Sequence, residues 1–332
     1  MRRRQIIQLT LLSLVVAGAT FPLAYLVDWL PEDGSIQGKR IDDVILTTVW
    51  MSVAIFALVA AVLVYAIVKF RAKPGDMEDG KPVHGHTGLE LAWTAIPTVI
   101  VVAIAVFSSV VVVKNDELPS DHRVVLVEAR QFAWGFEYPE LGGLRTGQLV
   151  LPIDQPVELQ MYSPDVIHAF WVPEWRQKQD VVPGITTVYR ITPTKLGKFP
   201  IVCTELCGLG HSVMRNQVVV LSQEEFDLWA EKQRADVDAG GDQLGENVFA
   251  NQGCAGCHVL NAAGATGAVG PDLDIVVPGQ DIEQIIESIV NPDAAITEGF
   301  SSGIMPRSYA GLPDDQLQAV ADYLRTQAGP AE

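Results

Sequence analysis

Two cysteines, a histidine and a methionine lie close together in the segment CTELCGLGHSVM, which runs from Cys203 to Met214. Thiolate and thioether sulfur favour copper(I), zinc or iron–sulfur chemistry, and imidazole suits copper or zinc. A disulfide between Cys203 and Cys207 is one interpretation, and a tetrahedral zinc site formed with His211 and a distant histidine is another. A methionine beside a Cys/His set, however, is typical of electron-transfer copper. The segment therefore predicts a redox metal.

A second motif, CAGCH, places Cys254, Cys257 and His258 at the spacing that attaches a c-type haem. Both thiols would bond to the haem vinyl groups, and the histidine would bind the iron. An isolated match of this length also arises by chance. Met305 is the candidate for the second axial ligand, because a methionine opposite a histidine raises the haem potential. A role for Met305 as a core side chain is the alternative.

Short apolar runs separated by Gly, Pro and Asp turns follow one another between residues 123 and 222. This spacing favours an all-β sandwich or barrel. His168 comes just after one alternating run, in which Val157, Leu159 and Met161 would share one face of a half-buried sheet. A histidine at a strand end together with a Cys/His/Met loop between two strands is the ligand layout of cupredoxins.

With the distant His168, the pattern CxExC, three residues, His, two residues and Met resembles the binuclear CuA centre of subunit II of the haem-copper cytochrome c oxidases. The resemblance implies that both cysteines bridge two coppers, that each histidine holds one copper and that the methionine is a weak ligand. These residues are Cys203, Cys207, His168, His211 and Met214. It also implies that Glu205 contributes its main-chain carbonyl, and that its side chain reaches a magnesium ion at the border with subunit I.

Two uncharged apolar runs, residues 44–68 and 91–113, are each long enough for a membrane-spanning helix, which needs roughly 20 apolar residues. Buried core helices are the alternative, but two such runs without a charge argue against them. Basic residues lie between the runs and acidic residues lie at their far ends, namely Lys69, Arg71, Lys73 and Lys81 between them and Asp42, Asp43, Asp116 and Glu117 outside. The positive-inside rule therefore places the connecting loop in the cytoplasm and everything after Lys114 outside.

The first 30 residues have two interpretations. Arg2 to Arg4 precede an apolar stretch, and the small residues Ala17 to Ala19 offer a cleavage site, as in a secretory signal. The apolar character continues to Leu26, which favours an uncleaved third membrane helix instead. Both interpretations leave residue 30 outside, so the topology of the remaining chain does not depend on the choice.

Two further segments resemble parts of oxidase subunit II. TGLELAWTAIP resembles the start of its second membrane helix, which places Glu90 at the mouth of a proton channel into subunit I; an ordinary interfacial carboxylate is the alternative. ARQFAWGFEYP resembles the aromatic segment that receives electrons from soluble cytochrome c. Trp134 matches a family tryptophan, whereas Phe132 stands where the receiving tryptophan usually lies. A packed aromatic pair on the sandwich surface is the alternative for both.

The chain changes character after Ser222. SQEEFDLWAEKQRAD predicts a helix with a capping box formed by Ser222 and Glu225, followed by a hinge at Gly240 and Gly241. GPDL, which ends at Leu273, resembles the segment of small c-type cytochromes whose proline carbonyl orients the haem histidine. LQAVADYLRTQ predicts a closing amphipathic helix. Class I cytochromes c end in this way.

The formal net charge of −17 argues against a nucleic-acid partner, which requires a basic face. An acidic surface can attract a basic cytochrome, although general solubility explains the charge equally well. All four cysteines are assigned by the two motifs, two to copper and two to haem. None is left for a structural disulfide.

Together these features predict a multidomain protein with an α-helical membrane hairpin, an all-β cupredoxin-like sandwich and an all-α cytochrome c domain. The predicted boundaries are 1–30 for a signal peptide or extra membrane helix, 41–114 for the two-helix transmembrane hairpin, 115–222 for the CuA domain, 223–243 for the linker helix and hinge, and 244–329 for the cytochrome c domain. The resemblance covers nearly the whole chain. It implies subunit II of a caa-type oxidase in a bacterial plasma membrane, with the copper and haem domains on the outer side.

The same resemblance implies the partners of the chain. They are oxidase subunits I and III, membrane lipid, and an external electron donor such as a small cytochrome c or the bc complex. Electrons would pass through haem c to CuA and on to subunit I, where oxygen is reduced and protons are translocated. A CuA-containing subunit of a nitric oxide reductase would share much of this chain. A non-catalytic zinc-binding membrane protein with a stray CxxCH is the alternative of another class.

Overall fold

The computed structural model of the 332-residue chain describes residues 3–72, 74–75, 82, 84–239, 242–305 and 307–329. The chain divides into two compact units. One comprises Met1–Glu32 and Lys39–Lys114, and the other comprises Asp33–Gly38 and Asn115–Glu332. The predicted hinge at Gly240 and Gly241 lies outside the described residues, as do Arg2 and the loop lysines Lys73 and Lys81.

Three long helices dominate the first unit: α1 Arg3–Tyr25, α2 Ile36–Phe70 and α3 Thr87–Asp116. Within the described ranges, these are the helices long and apolar enough to cross a membrane. Helices α2 and α3 extend beyond both uncharged runs, because the polar residues at their ends continue the helical hydrogen bonding. The Phe21 ring stacks on Trp50 with ring centroids 5.9 Å apart, so α1 packs against α2. The N-terminal segment is therefore helical.

A β-sandwich forms the first part of the second unit. In the described part of this unit, two sheets of five strands have the orders β3-β2-β1-β5-β8 and β4-β10-β9-β6-β7. The strands are β1 Arg123–Arg130, β2 Ala133–Tyr138, β3 Leu144–Thr146, β4 Leu149–Pro152, β5 Val157–Tyr162, β6 His168–Trp171, β7 Lys178–Val181, β8 Thr187–Ile191, β9 Gly197–Cys203 and β10 Arg215–Leu221. Val157, Leu159 and Met161 are all fully buried, because alternate side chains of a strand face the same side. The predicted sandwich is confirmed.

Large aromatic side chains fill the space between the two sheets. Trp134, Tyr138, Phe170 and Trp175 are all buried, and Trp134 meets Phe170 edge to face with ring centroids 5.4 Å apart. Such pairs add to the stabilisation that burial of apolar surface provides. The interpretation of Trp134 as part of a surface pair is therefore wrong, since its side chain lies in the core. Phe132 is only half-buried.

The rest of the second unit is mainly helical. Its helices are α4 Gln223–Ala239, α5 Asp242–Asn251, α6 Cys254–Cys257, α7 Leu273–Val276, α8 Ile282–Val290 and α9 Asp314–Gln327, and a small two-stranded sheet pairs β11 Val259–Leu260 with β12 Ala265–Thr266. The predicted capping box is confirmed: the Ser222 main-chain N–H donates to Glu225 Oε2 at 3.0 Å, and the Glu225 N–H donates to Ser222 Oγ at 3.3 Å. The predicted closing helix corresponds to α9, which buries Leu317, Val320 and Leu324 as an amphipathic helix should.

Helices α5 and α9 approach closely at Gly245. A Cβ atom at this position would lie 2.2 Å from the Ala319 carbonyl oxygen and 2.4 Å from Tyr323 Cβ. Neither neighbour can move without separating the helices, because one is main chain and the other is attached directly to it. Gly245 therefore permits the helix contact that closes this part of the fold.

Gly245→Ala is expected to lower the free energy of unfolding by about 1–3 kcal/mol, the usual cost of forcing an extra carbon into a packed site. Denaturant titration of the full chain, followed by circular dichroism, measures the difference. Gly311→Ala is the matched control, because a Cβ atom there meets nothing within 4 Å. Equal midpoints for the two variants would contradict the close helix contact.

Candidate copper and haem centres

The ligand loop, defined as Cys203–Met214, joins strands β9 and β10 of one sheet. Strand β6 pairs with β9 in the same sheet, and Phe170 lies opposite Cys203. His168 begins β6 two residues earlier, so the sheet register brings its ring to the loop. The ligand atoms of His168, Cys203 and Cys207 all lie within 4.8 Å of one another. The distant histidine predicted from the sequence therefore meets the two thiols.

The other sulfur and nitrogen atoms of the loop surround Cys207. His211 Nδ1 lies 3.5 Å from Cys207 Sγ, and Met214 Sδ lies 3.7 Å from the same sulfur. Cys203 and Cys207 are free thiols with their sulfur atoms 3.9 Å apart, so the disulfide interpretation does not hold in this structure. The Glu205 carbonyl oxygen lies 3.3 Å from Cys203 Sγ. Two thiols, two imidazoles, a thioether and a carbonyl thus converge.

Burial disfavours negative charge on the two thiols of this cluster. The Cys203 and Cys207 thiols are buried, and His168 and Met214 are fully enclosed. Burial opposes ionisation of Cys203, but contacts with His168 and nearby main-chain groups lower its pKa to about 7. Burial and the charge of Cys203 raise the pKa of Cys207 to about 12. A second thiolate is therefore costly unless a cation binds between the sulfur atoms, which fits a metal held by both.

The His168 ring is oriented by a carboxylate. Its Nε2 lies 2.9 Å from Asp165 Oδ1, and its Nδ1 lies 3.9 Å from Cys203 Sγ. Metal-binding histidines commonly donate their second ring N–H to a carboxylate, which fixes the tautomer. With Nε2 facing Asp165, Nδ1 is left for a metal beside the thiols. The sequence reasoning missed Asp165, although its place three residues before His168 was a readable signal.

The CAGCH motif lines an apolar cavity of about 390 Å³. Cys254, Cys257, His258 and Met305 all face this cavity, so the structure brings together the four residues predicted for haem attachment. His258 Nδ1 lies 2.8 Å from the Pro271 carbonyl oxygen, which confirms the predicted orientation of the ring and leaves Nε2 for iron. Burial lowers the pKa of His258 and so favours the neutral imidazole that binds metals.

Glycines shape the wall behind the haem histidine. A Cβ atom at Gly270 would lie 2.5 Å from His258 Cε1, and one at Gly267 would lie 2.5 Å from the Cys257 carbonyl carbon. The chain can therefore pass directly against the ring and the motif. An apolar cavity with two thiols, an imidazole and a thioether on its walls fits a covalently held haem.

Three further side chains were predicted to act outside the two sets of metal ligands, and they are those of Glu90, Glu205 and Phe132. Glu90 Oε1 accepts a hydrogen bond of 2.8 Å from the His86 N–H at the start of α3, which is a helix-capping contact. The Glu205 side chain is exposed. Phe132 lines the same cavity as His258.

Comparison with known families gives three matches along the chain. Residues 30–111 match the transmembrane domain of cytochrome c oxidase subunit II, residues 144–222 match the periplasmic domain of the same subunit, and residues 243–328 match cytochrome c. The three matched ranges follow one another in the order that the sequence predicts.

Individual relatives extend over most of the chain. Cytochrome c oxidase subunit 2 of Alkalihalophilus pseudofirmus is 32% identical over 301 residues, which cover 86% of each chain. Cytochrome c oxidase subunit 2 of Bacillus subtilis is 28% identical over 354 aligned residues, which cover 97% of each chain. The periplasmic domain of subunit II of cytochrome oxidase from Bradyrhizobium japonicum is 27% identical, with a TM-score of 0.34, and covers 36% of this chain and 98% of that one.

The matched domains thus coincide with the membrane helices, with the sandwich that carries the thiol and imidazole cluster, and with the haem-binding motif. A relative more than 30% identical extends over most of the chain. This chain belongs to the family of cytochrome c oxidase subunit II and carries a cytochrome c domain after the periplasmic domain.

Proposed function

We propose that this chain passes single electrons from an external donor to subunit I of a haem-copper oxidase, where oxygen reduction is coupled to proton translocation. The cluster at the ligand loop and the haem cavity, which lie in one compact unit, carry the proposal. When bound, a copper pair and a haem each take up and release one electron. The chain holds no substrate site in this proposal, so its residues act by binding and orienting the two groups.

At the copper centre, Cys203, Cys207, His168 and His211 would hold the metal pair. Met214 and the Glu205 carbonyl would complete the set as weak ligands. The short separations between their donor atoms support this assignment. Because the cluster is buried against the sandwich core, little solvent would reorganise as the charge changes.

At the haem site, Cys254 and Cys257 would attach the group covalently, and His258 and Met305 would bind its iron. The Pro271 carbonyl keeps the His258 ring in one orientation. A methionine opposite a histidine raises the reduction potential, which suits a carrier that receives electrons from a cytochrome. The apolar lining of the cavity would also raise the reduction potential, since it disfavours the more highly charged oxidised state of the haem.

Phe132 is our candidate for the contact between the two centres. Its side chain lines the haem cavity, and its ring lies against Gly208 and Gly210 of the ligand loop. Trp134, the second aromatic residue predicted to receive electrons, lies deeper, with its ring centroid 6.4 Å from that of His168. We therefore assign the haem-facing contact to Phe132 and a packing role beside His168 to Trp134.

The proposal also includes further roles and partners that the family resemblance implies. Glu205, with its exposed side chain, would reach a magnesium ion at the border with subunit I, and Glu90 would lie at a proton-channel mouth. Subunit III and a small cytochrome c or the bc complex would be further partners. The location would be a bacterial plasma membrane, with the copper and haem domains on the outer side.

Metal analysis of the purified full chain tests this function. We expect two coppers and one covalent haem per chain, and oxygen uptake once subunit I is present. Zinc without haem would instead support a zinc-binding membrane protein and contradict the proposal. A complex that reduces nitric oxide but consumes no oxygen would point to a nitric oxide reductase.

Met214→Leu is expected to raise the copper potential, because loss of a weak sulfur ligand destabilises the oxidised metal. The haem absorption spectrum should remain unchanged, since Met214 is packed against Cys207 and not in the haem cavity. Redox titration with separate optical detection of copper and haem measures both. A variant that lost its haem would contradict the assignment of two separate centres.

A further inference from the structure

A short segment of the sandwich lies between the copper cluster and the haem cavity. We call it the connecting segment and define it as Gln131–Ala133, which comprises the two residues between β1 and β2 and the first residue of β2. It contacts the copper cluster on one side and the cytochrome domain on the other. The side chain and main chain of Gln131 face the copper cluster, whereas Phe132 and Ala133 also face the cytochrome domain.

On the copper side, Gln131 makes two hydrogen bonds. Its side-chain amide donates to the Cys207 carbonyl oxygen, and its main-chain N–H donates to Asp165 Oδ2 at 2.7 Å. The other carboxylate oxygen of Asp165 lies 2.9 Å from His168 Nε2. One glutamine thus contacts the ligand loop directly, and it contacts the distant histidine through a shared carboxylate.

Two glycines of the ligand loop fit the connecting segment. A Cβ atom at Gly210 would lie 2.4 Å from Phe132 Cδ2, and one at Gly208 would lie 2.7 Å from Gln131 Nε2. Since Gly208 also has a φ of +133°, a side chain there would be strained as well as obstructed. The loop therefore packs closely against Gln131 and Phe132 at two positions that lack side chains.

On the haem side, the segment meets the residues next to the haem-attachment motif. A Cβ atom at Gly253, which precedes Cys254 and has a φ of +72°, would lie 2.3 Å from Ala133 Cβ. Beside this contact, the Arg130 guanidinium donates to Gln252 Oε1 at 2.6 Å. The residues immediately before the motif, Gln252 and Gly253, thus pack against the end of β1 and the connecting segment.

We propose that Gln131 and Asp165 form a clamp that holds the connecting segment against the copper cluster and so fixes the separation and orientation of the copper and haem centres. Neither residue binds a metal in this proposal, and both are positioning residues. The inference rests on the proposed function, because it requires that both centres be filled. It adds two residues that neither the haem motif nor the ligand loop contains.

Gln131→Met tests the clamp in the full, copper- and haem-loaded chain, because methionine keeps the length of the side chain and removes the amide donor. Pulsed electron paramagnetic resonance between the oxidised copper pair and the ferric haem should show a broader distribution of distances than in the unaltered chain. Hydrogen exchange at the Phe132 and Ala133 amides should rise roughly 10-fold, as expected when one hydrogen bond that holds a segment is lost.

Gln155→Met is the matched control, because Gln155 also donates its side-chain amide to a main-chain carbonyl, that of Asp121, at 2.9 Å. This variant should keep the distance distribution and the exchange rates of the unaltered chain. Identical results for Gln131→Met and Gln155→Met would show that the clamp does not exist. Loss of copper from Gln131→Met would also overturn the proposal, since it would make Gln131 part of the metal site itself.

Asp165→Asn is the second variant and gives an independent measurement if Gln131→Met does not fold. An amide oxygen can still accept a hydrogen bond from His168. Because it carries no negative charge, however, the imidazole becomes less basic and binds the metal more weakly. The copper potential should rise while the haem potential stays constant. The copper–haem distance distribution should also broaden, because the Gln131 N–H loses its carboxylate acceptor. A distribution unchanged from that of the unaltered chain would remove Asp165 from the clamp. Failure of the proposed function would look different, since the unaltered chain itself would then lack copper or haem.

Discussion

Cys207→Ser should abolish copper binding and reduce oxygen uptake by the assembled oxidase by more than about 100-fold, since loss of even an outer hydrogen-bonding partner typically costs 10- to 100-fold. Cys207 Sγ is the atom that the other donors surround, with Cys203 Sγ, His211 Nδ1 and Met214 Sδ all within 3.9 Å. A hydroxyl group is a poor ligand for electron-transfer copper, which prefers soft sulfur ligands. Copper analysis and oxygen-electrode measurements determine the two effects.

Thr204→Val is the control for this variant. Thr204 lies in the same loop, and its buried hydroxyl has no hydrogen-bond partner within the described part of the chain. Replacing that hydroxyl with a methyl group of similar shape should leave copper content unchanged. If Cys207→Ser kept two coppers per chain, the ligand set would have to be assigned without Cys207.

Replacing Cys254 and Cys257 together with alanine should leave the chain without covalent haem while two coppers remain bound. Oxygen uptake supported by a soluble cytochrome donor should fall to below roughly a tenth, because electrons would have to reach copper past an empty cytochrome domain. That domain should also lose stability, since much of its apolar core lines the cavity and a group that binds only the folded state stabilises it. Haem staining, copper analysis and thermal unfolding report the three consequences.

Gly311→Ala again serves as a control, because it lies in the same domain and an added Cβ atom there has open space. It should keep its haem and its thermal midpoint. A double cysteine variant that retained covalent haem would contradict the attachment motif. One that lost copper as well would show that the ligand loop cannot form without the loaded haem domain.

The sequence predicted which residues converge at the candidate copper site because most of them are close neighbours in the chain. Cys203, Cys207, His211 and Met214 lie within one loop, where a few residues decide which side chains can meet. His168 was predicted at a strand end because an alternating run lies just before it in the sequence. In the structure His168 instead begins the next strand, β6, which belongs to the other sheet. The haem motif was readable in the same way, since Cys254, Cys257 and His258 are adjacent in the chain.

Contacts between distant segments could not be predicted. The approach of Gln131 to Cys207 depends on how β1, β2 and the ligand loop are arranged in two different sheets, which no local pattern specifies. The burial of Trp134 was missed because an aromatic residue beside Phe132 suits either a surface or a core. Gly245 carries no signal by itself, since a glycine is required there only because α9 comes close. Gly253 is required by its φ of +72° as well as by the approach of Ala133, and neither can be read from the sequence.

The contact between Gly253 and Ala133 has a kinetic consequence. When two redox domains share one chain, their encounter is intramolecular, and its rate depends on an effective concentration set by the linker and not on the amount of donor in solution. The surface beside Phe132 is already covered by the chain's own cytochrome domain. In the proposed function, soluble donors would therefore compete for the haem domain alone. Dilution of those donors should then slow reduction of the haem without slowing the electron transfer from haem to copper.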